Sequence, residues 1–359
     1  MTSTKRSRTP KSSPALVPSR IAVIGAGMAG IACARTLMQA GHEVQVFEKS
    51  RGAGGRMSTR RTEFGSFDHG TQYFTVRDPR FKKALDTSPE LVKAWRANTI
   101  QVQDAAGRVV VAAKPQQHEH WVGAPGMNAI VRHWAAPAAL HLETQVMHIE
   151  ADRLQPQRWQ LQTTGPGEST QVHAGFDAVL LALPSTQAHT LLRASRLLAQ
   201  VQAQLAEVDV APCWTLMLAF PQAVRGSAFG PHWQAARSAH HRISWLARET
   251  SKPGRESIER WTVQASPDWS LRHLEDDAER VKAKLLRAFT EVTGIRATPP
   301  YAEVHRWRYA QTIKPLGQSH VWDASQRLGL CGDWCLGRRV EDAFVSGLEL
   351  ALGVHTALK

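Results

Sequence analysis

RIAVIGAGMAGIACARTLMQAGHEVQVFE, residues 20–48, sets a strand, a glycine-rich turn, a helix, a second strand and an acid in that order. Ile21 to Ile24 form an apolar run of strand length, and Gly25, Gly27 and Gly30 complete G-x-G-x-x-G. A helix of small residues runs on to Gly41, which reads as its stop. A second strand, Glu43 to Phe47, delivers Glu48 about 20 residues beyond the glycines, where such folds place an acid on a ribose hydroxyl. Gly25 makes the tight turn, Gly27 lets the backbone approach a pyrophosphate, and Gly30 lets helix and strand pack closely. The helix N-terminus adds positive potential for the phosphates. Glu48 disfavours an adenosine with a 2′-phosphate, because the two charges would repel.

The next stretch, VFEKSRGAGGRMSTRR at 46–61, inserts a loop where a simple dehydrogenase would continue to its next crossover. Its paired glycines permit a second close backbone approach to phosphate, and Arg51 and Arg56 can neutralise one. An acid at the strand end followed by Ala53-Gly54-Gly55-Arg56-Met57-Ser58-Thr59 resembles the FAD site of the flavin amine oxidase and phytoene desaturase superfamily. The resemblance implies FAD rather than NAD as the bound cofactor, with Gly55 and Arg56 among its ligands.

Two distant segments carry the same resemblance. In LGLCGDWCLGRRVEDAFVSGLELALG, residues 328–353, it implies that Asp333 bonds the ribityl or pyrophosphate region. A helix starting near Arg339 and Val340 would then point its N-terminus at the flavin; Asp333 alternatively serves as a simple helix cap. In the middle, HLETQVMHIE, WQLQT and a strand ending VLLALP resemble the superfamily's β-meander, where the backbone at Val146 meets the adenine. The expected fold is therefore α/β. A discontinuous Rossmann-like FAD-binding domain (20–78, 140–190 and 320–359) carries a mixed-sheet α+β substrate domain (79–139 and 191–319).

FGSFDHGTQYFTVRDPRF, residues 64–81, narrows the resemblance. Together with WVGAPGMNAI, LALPSTQAHTLL, WTVQASPDWS and HRWRYA, it is similar to the bacterial renalase-like branch of these flavoproteins over almost everything from Arg20 onward. His69, Gly70 and Thr71 are then expected at the cofactor, with Tyr73 and Phe74 offering stacking surface. Alternatively these aromatics are core and Asp68 caps a turn. The branch implies oxidation of dihydronicotinamide isomers reduced at an off-position of the ring, returning NAD(P)⁺. A hydride passes to flavin N5 and the electrons to dioxygen, giving hydrogen peroxide. Hydride loss rearomatises the ring without an N–H or O–H to deprotonate, so stacking and alignment suffice and no general base is needed.

Pocket candidates are Tyr73, Trp121, Arg242, Trp245, Gln264 and Tyr309, in segments that alternate as half-buried strands do. The resemblance places Arg242 on a substrate-domain strand facing the flavin, where it would bind a carboxamide or phosphate; alternatively it is a surface arginine. At the position of Gln264 a histidine is common in that branch. Glutamine keeps the hydrogen bond and loses the titration near neutral pH.

Composition sets the limits on this reading. The net charge is +13, but Lys5, Arg6, Arg8, Lys11 and Arg20 lie in the first twenty residues without an acid. Rich in Ser, Thr and Pro and lacking an apolar h-region, residues 1–19 read as a disordered basic tail rather than a secretory signal. No apolar run approaches the ~20 residues that span a bilayer. A cytoplasmic protein with a small-molecule substrate and dioxygen as partners, and no stable nucleic-acid or membrane partner, is expected. Cys33, Cys213, Cys331 and Cys335 are too scattered for a disulfide framework, and CGDWC lacks zinc-ligand spacing. His240 and His241 are adjacent and are expected to diverge, so no metal is expected.

DDAERVKAKLLRAFTEVTG has helical spacing at Val281, Leu285, Leu286 and Phe289 and reads as an amphipathic cover helix. Two other functions fit the same residues. One is a flavin amine oxidase with Trp334 framing the substrate, although Arg338 and Arg339 would repel an ammonium. The other is a protein that binds a flavin or nucleotide without turnover.

Overall fold

The structure is a computed structural model, and it describes residues 17–97, 100–104, 108–111, 118–223 and 229–359. Of the expected basic tail, residues 1–16 lie outside the described residues. A six-stranded sheet runs in the order Val321–Asp323, Leu328–Leu330, Ala178–Leu181, Arg20–Ile24, Glu43–Phe47, Ala139–His141. Five of these strands are parallel, and only the edge strand Val321–Asp323 is antiparallel. Near-continuous apolar runs such as Ile21–Ile24 belong in such a sheet, because both its faces are covered. Helices Met28–Gln39 and Val340–Ala357 lie together on one face, and the antiparallel meander Gln145–Ala151, Trp159–Thr164, Thr170–Phe176 packs with Ser185–Ser195 on the other.

The glycine turn obeys the geometry its sequence predicts. Gly25 adopts φ +107°, and a Cβ there would lie 2.5 Å from the Ala182 carbonyl oxygen. At Gly30 a Cβ would lie 2.0 Å from the Gly25 carbonyl oxygen, so any larger residue would lift the helix off the strand. The helix ends at Gln39 and Gly41 turns the chain at φ +92°, as its position suggested.

A second, seven-stranded sheet runs in the order Tyr301–Lys314, Asp209–Phe220, Glu259–Ala265, Ile243–Arg248, Ala235–Ser238, Ile100–Gln103, Val109–Val111. It is mixed, since Ala235–Ser238 pairs parallel with Ile100–Gln103 while the other pairs are antiparallel. Helix Ala278–Thr293 covers one face, burying Val281, Leu285 and Phe289 against Trp261, Val263 and Leu246. The opposite face turns toward the six-stranded sheet. Trp245 and Ala247 share a core with Tyr73, Met57 and the first helix.

His240 and His241 do not diverge. Their rings stand 4.4 Å apart, with His240 Nε2 3.1 Å from Glu291 of the cover helix. Among the described residues no group of three or more His, Cys, Asp or Glu is placed to hold a metal, and no helix is long and apolar enough to cross a membrane.

Candidate active site

The nucleotide end is built first, by local sequence. Glu48 Oε2 accepts the Ala26 N–H and Oε1 accepts the Ser50 N–H, both at 2.8 Å, so the carboxylate is locked beside the glycine turn. The first helix starts at Met28 behind Gly27, with no side-chain cap and no acid in its first turn, leaving its N-terminal N–H groups to an anion. Gly54 N–H bonds the Ala26 carbonyl, and a Cβ on Gly55 would come 3.1 Å from Gly27 Cα. The two glycine turns therefore abut and share one backbone surface. Glu143 and Thr144 N–H groups bond the carbonyls of Ser50 and Glu48, which brings Val146 to the same end, next to a bulge that interrupts pairing between Val146 and His148. An uncapped helix end, a glycine-only surface, a fixed acid and an unpaired strand edge fit a dinucleotide cofactor.

From there the loop leads to a bidentate ion pair. Arg56 donates to Asp333 at 2.5 and 2.9 Å and to the Ala310 carbonyl at 3.1 Å, and Thr312 Oγ1 also donates to Asp333. Asp333 is nearly buried, while Arg56 keeps 30% of its side chain exposed. A cleft of about 280 Å³ opens beside this pair, lined by Thr312, Leu336, Gly337, Arg338 and Arg339. The helix Val340–Ala357, capped by Arg339 N–H donating to Asp342, turns its N-terminus to this cleft.

The segment 68–73 bridges the two sheets. Thr71 N–H bonds the Arg56 carbonyl at 2.8 Å, and a Cβ on Gly70 would fall 2.1 Å from that same oxygen. Gly70 is thus required for its approach to the Arg56 backbone, in addition to any approach to a ring. Across it the seven-stranded sheet presents one row of directly opposed residues, His305, Thr215, Gln264, Trp245 and Arg237. His305 meets the His69 ring edge-on at 4.8 Å, Gln264 Nε2 donates to the Gly70 carbonyl at 2.7 Å, and Trp245 lies 5.6 Å from the Tyr73 ring. Arg237 donates to the Tyr73 hydroxyl at 2.8 Å. Tyr73 also stacks on His120 at 3.8 Å and lies 6.3 Å from Trp95, while Trp307 stacks on His69 and donates to its carbonyl.

The imidazoles His69, His120 and His305 are held neutral. Burial, with His305 and Arg60 nearby, pushes His69 down to about 3. Burial and Arg60 take His305 to about 4, and burial and Arg237 take His120 to about 4.

Beneath the row sits a fully buried ionic cluster. Asp68 Oδ2 accepts from Arg255 at 2.5 Å and from Lys252 at 3.3 Å, and Lys252 also donates to Glu249 at 3.0 Å. Asp68 Oδ1 accepts from Thr59 and from the Met127 N–H, and Arg255 reaches the carbonyls of Gly123 and Pro125. Burial would raise the Asp68 carboxyl, but the Lys252 and Arg255 charges outweigh it and hold it at about 2. Burial raises Glu249 in turn.

The structure therefore gathers Gly25, Gly27, Gly30, Glu48, Gly55 and Val146 at one end, and Arg56, His69, Gly70, Thr71, Tyr73, Gln264 and Asp333 at the other, while Val340 packs against the core behind Arg339 and Asp342, which line the adjoining cleft. It does not bring Arg242 to them. Arg242 precedes its strand, and its guanidinium donates to the Lys284 carbonyl on the cover helix. A bulge at Ser244 breaks the alternation, sending Ile243 to the helix side and Trp245 to the site side. Tyr309 is half-buried on Tyr301–Lys314, and Trp121 pairs with Phe74.

Sequence reasoning missed Arg237, His120, His305 and the Lys252–Glu249–Arg255 cluster. The alternating charges of ETSKPGRE resemble any solvated loop, so only the spacing of Glu249 and Lys252 hinted at a pair.

Residues 23–87 match a family model described as an NAD(P)-binding Rossmann-like domain, and residues 102–354 match one described as flavin containing amine oxidoreductase. The 4,4′-diapophytoene desaturase (4,4′-diaponeurosporene-forming) of Staphylococcus aureus is 47% identical over 59 residues, a match spanning 16% of this chain and 12% of that protein. Cyclohexylamine oxidase from Brevibacterium oxydans IH-35A superposes with a TM-score of 0.72 at 13% identity, covering 95% of this chain and 99% of that one. An Exiguobacterium sp. 255-15 protein provisionally called a protoporphyrinogen oxidase gives 0.74 at 12% identity, covering 95% and 99%. Putrescine oxidase bound to putrescine gives 0.68 at 13%, covering 94% and 99%. At these identities the structures share the fold with this chain.

Proposed function

The chain belongs to the flavin containing amine oxidoreductase family and is an FAD-dependent oxidoreductase, and from that premise we propose that it oxidises dihydronicotinamide dinucleotides reduced at an off-position of the ring. This is the activity of the renalase-like branch, with dioxygen as acceptor and hydrogen peroxide as product. When bound, FAD supplies a ring that accepts a hydride and passes the electron pair to dioxygen.

In this reading Gly25, Gly27, Gly30 and Gly55 hold the pyrophosphate, Glu48 the ribose and the Val146 backbone the adenine. Arg56 and Asp333 hold the ribityl region, and His69, Gly70, Thr71 and Val340 border the flavin. The FAD-binding domain comprises 20–78, 140–190 and 320–359, and the substrate domain 79–139 and 191–319.

One observation carries the choice of substrate. Beside the segment 68–73 stands an aromatic wall of Tyr73, His120 and Trp245 that is edged by an arginine, and the His120 imidazole is neutral, as are the nearby His69 and His305. Asp68, the carboxylate in that segment, is a fixed counter-ion to Lys252 and Arg255. A wall of this kind stacks a flat ring and aligns it but offers no base. Hydride loss from a dihydropyridine needs none. Gln264 contributes by holding the Gly70 carbonyl, so its role is to position the segment that carries Tyr73.

An amine is the second reading, since aromatic faces also frame small amines. The cationic Arg237 at the edge of the wall counts against an ammonium. Anaerobic mixing separates the two. Off-position dihydronicotinamide isomers should bleach the flavin band within seconds, while a panel of primary and secondary amines leaves it intact. Bleaching by an amine and not by the isomers would overturn the proposal in favour of amine oxidation.

A further inference from the structure

We propose that Arg237 makes the site select substrates bearing a phosphate, so that a nicotinamide nucleotide is bound in preference to the corresponding nucleoside. The inference deepens the dihydronicotinamide reading and rests on it for the orientation of the ring. Arg237 lies in the row across the seven-stranded sheet, directly opposite Trp245 on one side and Val102 on the other, and its side chain is exposed. Two contacts fix it, a hydrogen bond to the Tyr73 hydroxyl at 2.8 Å and its guanidinium lying 5.5 Å from the centre of the Trp245 ring.

Neither contact neutralises it. A hydroxyl and a ring face orient a guanidinium without compensating its charge. Four arginines close to the segment 68–73 are compensated, with Arg56 paired to Asp333, Arg255 to Asp68, Arg248 to Glu259 and Arg260 to Glu256. Among the described residues no ion pair joins Arg237 to an acid. It is therefore a preoriented cation at the mouth of an aromatic wall, with further N–H donors beyond the one given to Tyr73.

The group that matches a planar fork of N–H donors is a phosphate, bound through paired charge-assisted hydrogen bonds. In a nicotinamide nucleotide the phosphate stands one ribose from the ring. A ring stacked on Tyr73 places it at the edge of the wall, where Arg237 lies. The nucleoside has the same ring and ribose but nothing for the guanidinium to hold.

The test uses FAD-loaded enzyme and two oxidised ligands, nicotinamide mononucleotide and nicotinamide riboside, titrated against the visible flavin band. The mononucleotide should bind about ten- to a hundred-fold more tightly than the riboside, the range for hydrogen bonds to a charged group. In Arg237→Gln the ratio should fall to near one, in Arg237→Lys it should be reduced but retained, and in the wild type it should shrink with added salt. A wild-type ratio near one, or a ratio unchanged in Arg237→Gln, would overturn the inference. If Arg237→Gln does not retain FAD, the Arg237→Lys ratio and the salt series decide it, a salt-independent preference again overturning it. Oxidised ligands carry no hydride, so this result stands apart from whether reduced isomers bleach the flavin, on which the functional reading depends.

Discussion

Tyr73, Gln264 and the neutral imidazoles set what single residues contribute. A histidine kept neutral by burial titrates below the working range, so the steps that depend on His69, His120 and His305 should not respond to pH near neutrality. The rate of flavin bleaching by the isomers, divided by isomer concentration at low substrate, should therefore be flat between about pH 5.5 and 8.5. An amine substrate would give a rise as its ammonium deprotonates, and so would a site that used an active base. The residues at the nucleotide end were legible from sequence because their signals are local: Gly25, Gly27, Gly30 and Glu48 act through turn geometry within about 25 residues. Arg237 was not legible, because its place opposite Trp245 depends on strand register and on the bulge at Ser244, neither of which leaves a mark in AARS or HRISWLARE. Arg242, read as facing the flavin, lies just ahead of the strand Ile243–Arg248, outside its alternation, and bonds the cover helix instead.

At the scale of elements, the buried cluster of Asp68, Lys252, Glu249 and Arg255 joins the segment 68–73 to the turn after Ile243–Arg248 and to residues 123–127. Removing the Asp68 charge leaves the buried Arg255 without its ion-pair partner and Lys252 with Glu249 alone. Asp68→Asn should cost about 3–5 kcal/mol in urea unfolding, the range for breaking one partner out of a buried ion pair. A loss below about 1 kcal/mol would show that the cluster is not what fixes the segment. The dependence on pH follows from the same groups. The Asp68 carboxyl is lowered from 3.8 to about 2 in the folded protein, so its contribution is complete above about 4 and is lost as pH falls toward 2. The three imidazoles are lowered from 6.5, so the folded state binds fewer protons than the unfolded one and stability declines as pH drops from about 6.5 toward 4. The helices and strands themselves were readable where period and caps agreed. Glu43–Phe47 and the cover helix over Val281, Leu285 and Phe289 appear as expected. The ionic cluster was not, since the spacing of ETSKPGRE gives no indication that its charges are enclosed.

The whole molecule places a glycine-lined nucleotide end, an Arg56–Asp333 pair and an aromatic wall along one path between two sheets. The parallel sheet supplies the first from its strand ends, as open α/β sheets do, and the mixed sheet supplies the last from a single row of side chains. Sequence resemblance carried the fold and the flavin because the motifs at 25–59 and 328–353 lie far apart in the chain and point to one site. It could not show how the substrate side is walled, because that wall is assembled from residues distant in sequence: Tyr73 of the segment 68–73, His120, and Arg237 and Trp245 on neighbouring strands of the mixed sheet. The central claim is that this wall presents a dihydropyridine for hydride loss. The most direct test is aerobic turnover of the purified holoenzyme with an off-position dihydronicotinamide isomer, quantifying the pyridine nucleotide and the peroxide formed. The account predicts oxidised nicotinamide nucleotide and hydrogen peroxide in equal amounts for each isomer consumed. No oxidised nucleotide above the enzyme-free control, with aldehyde and peroxide released from an amine instead, would contradict it.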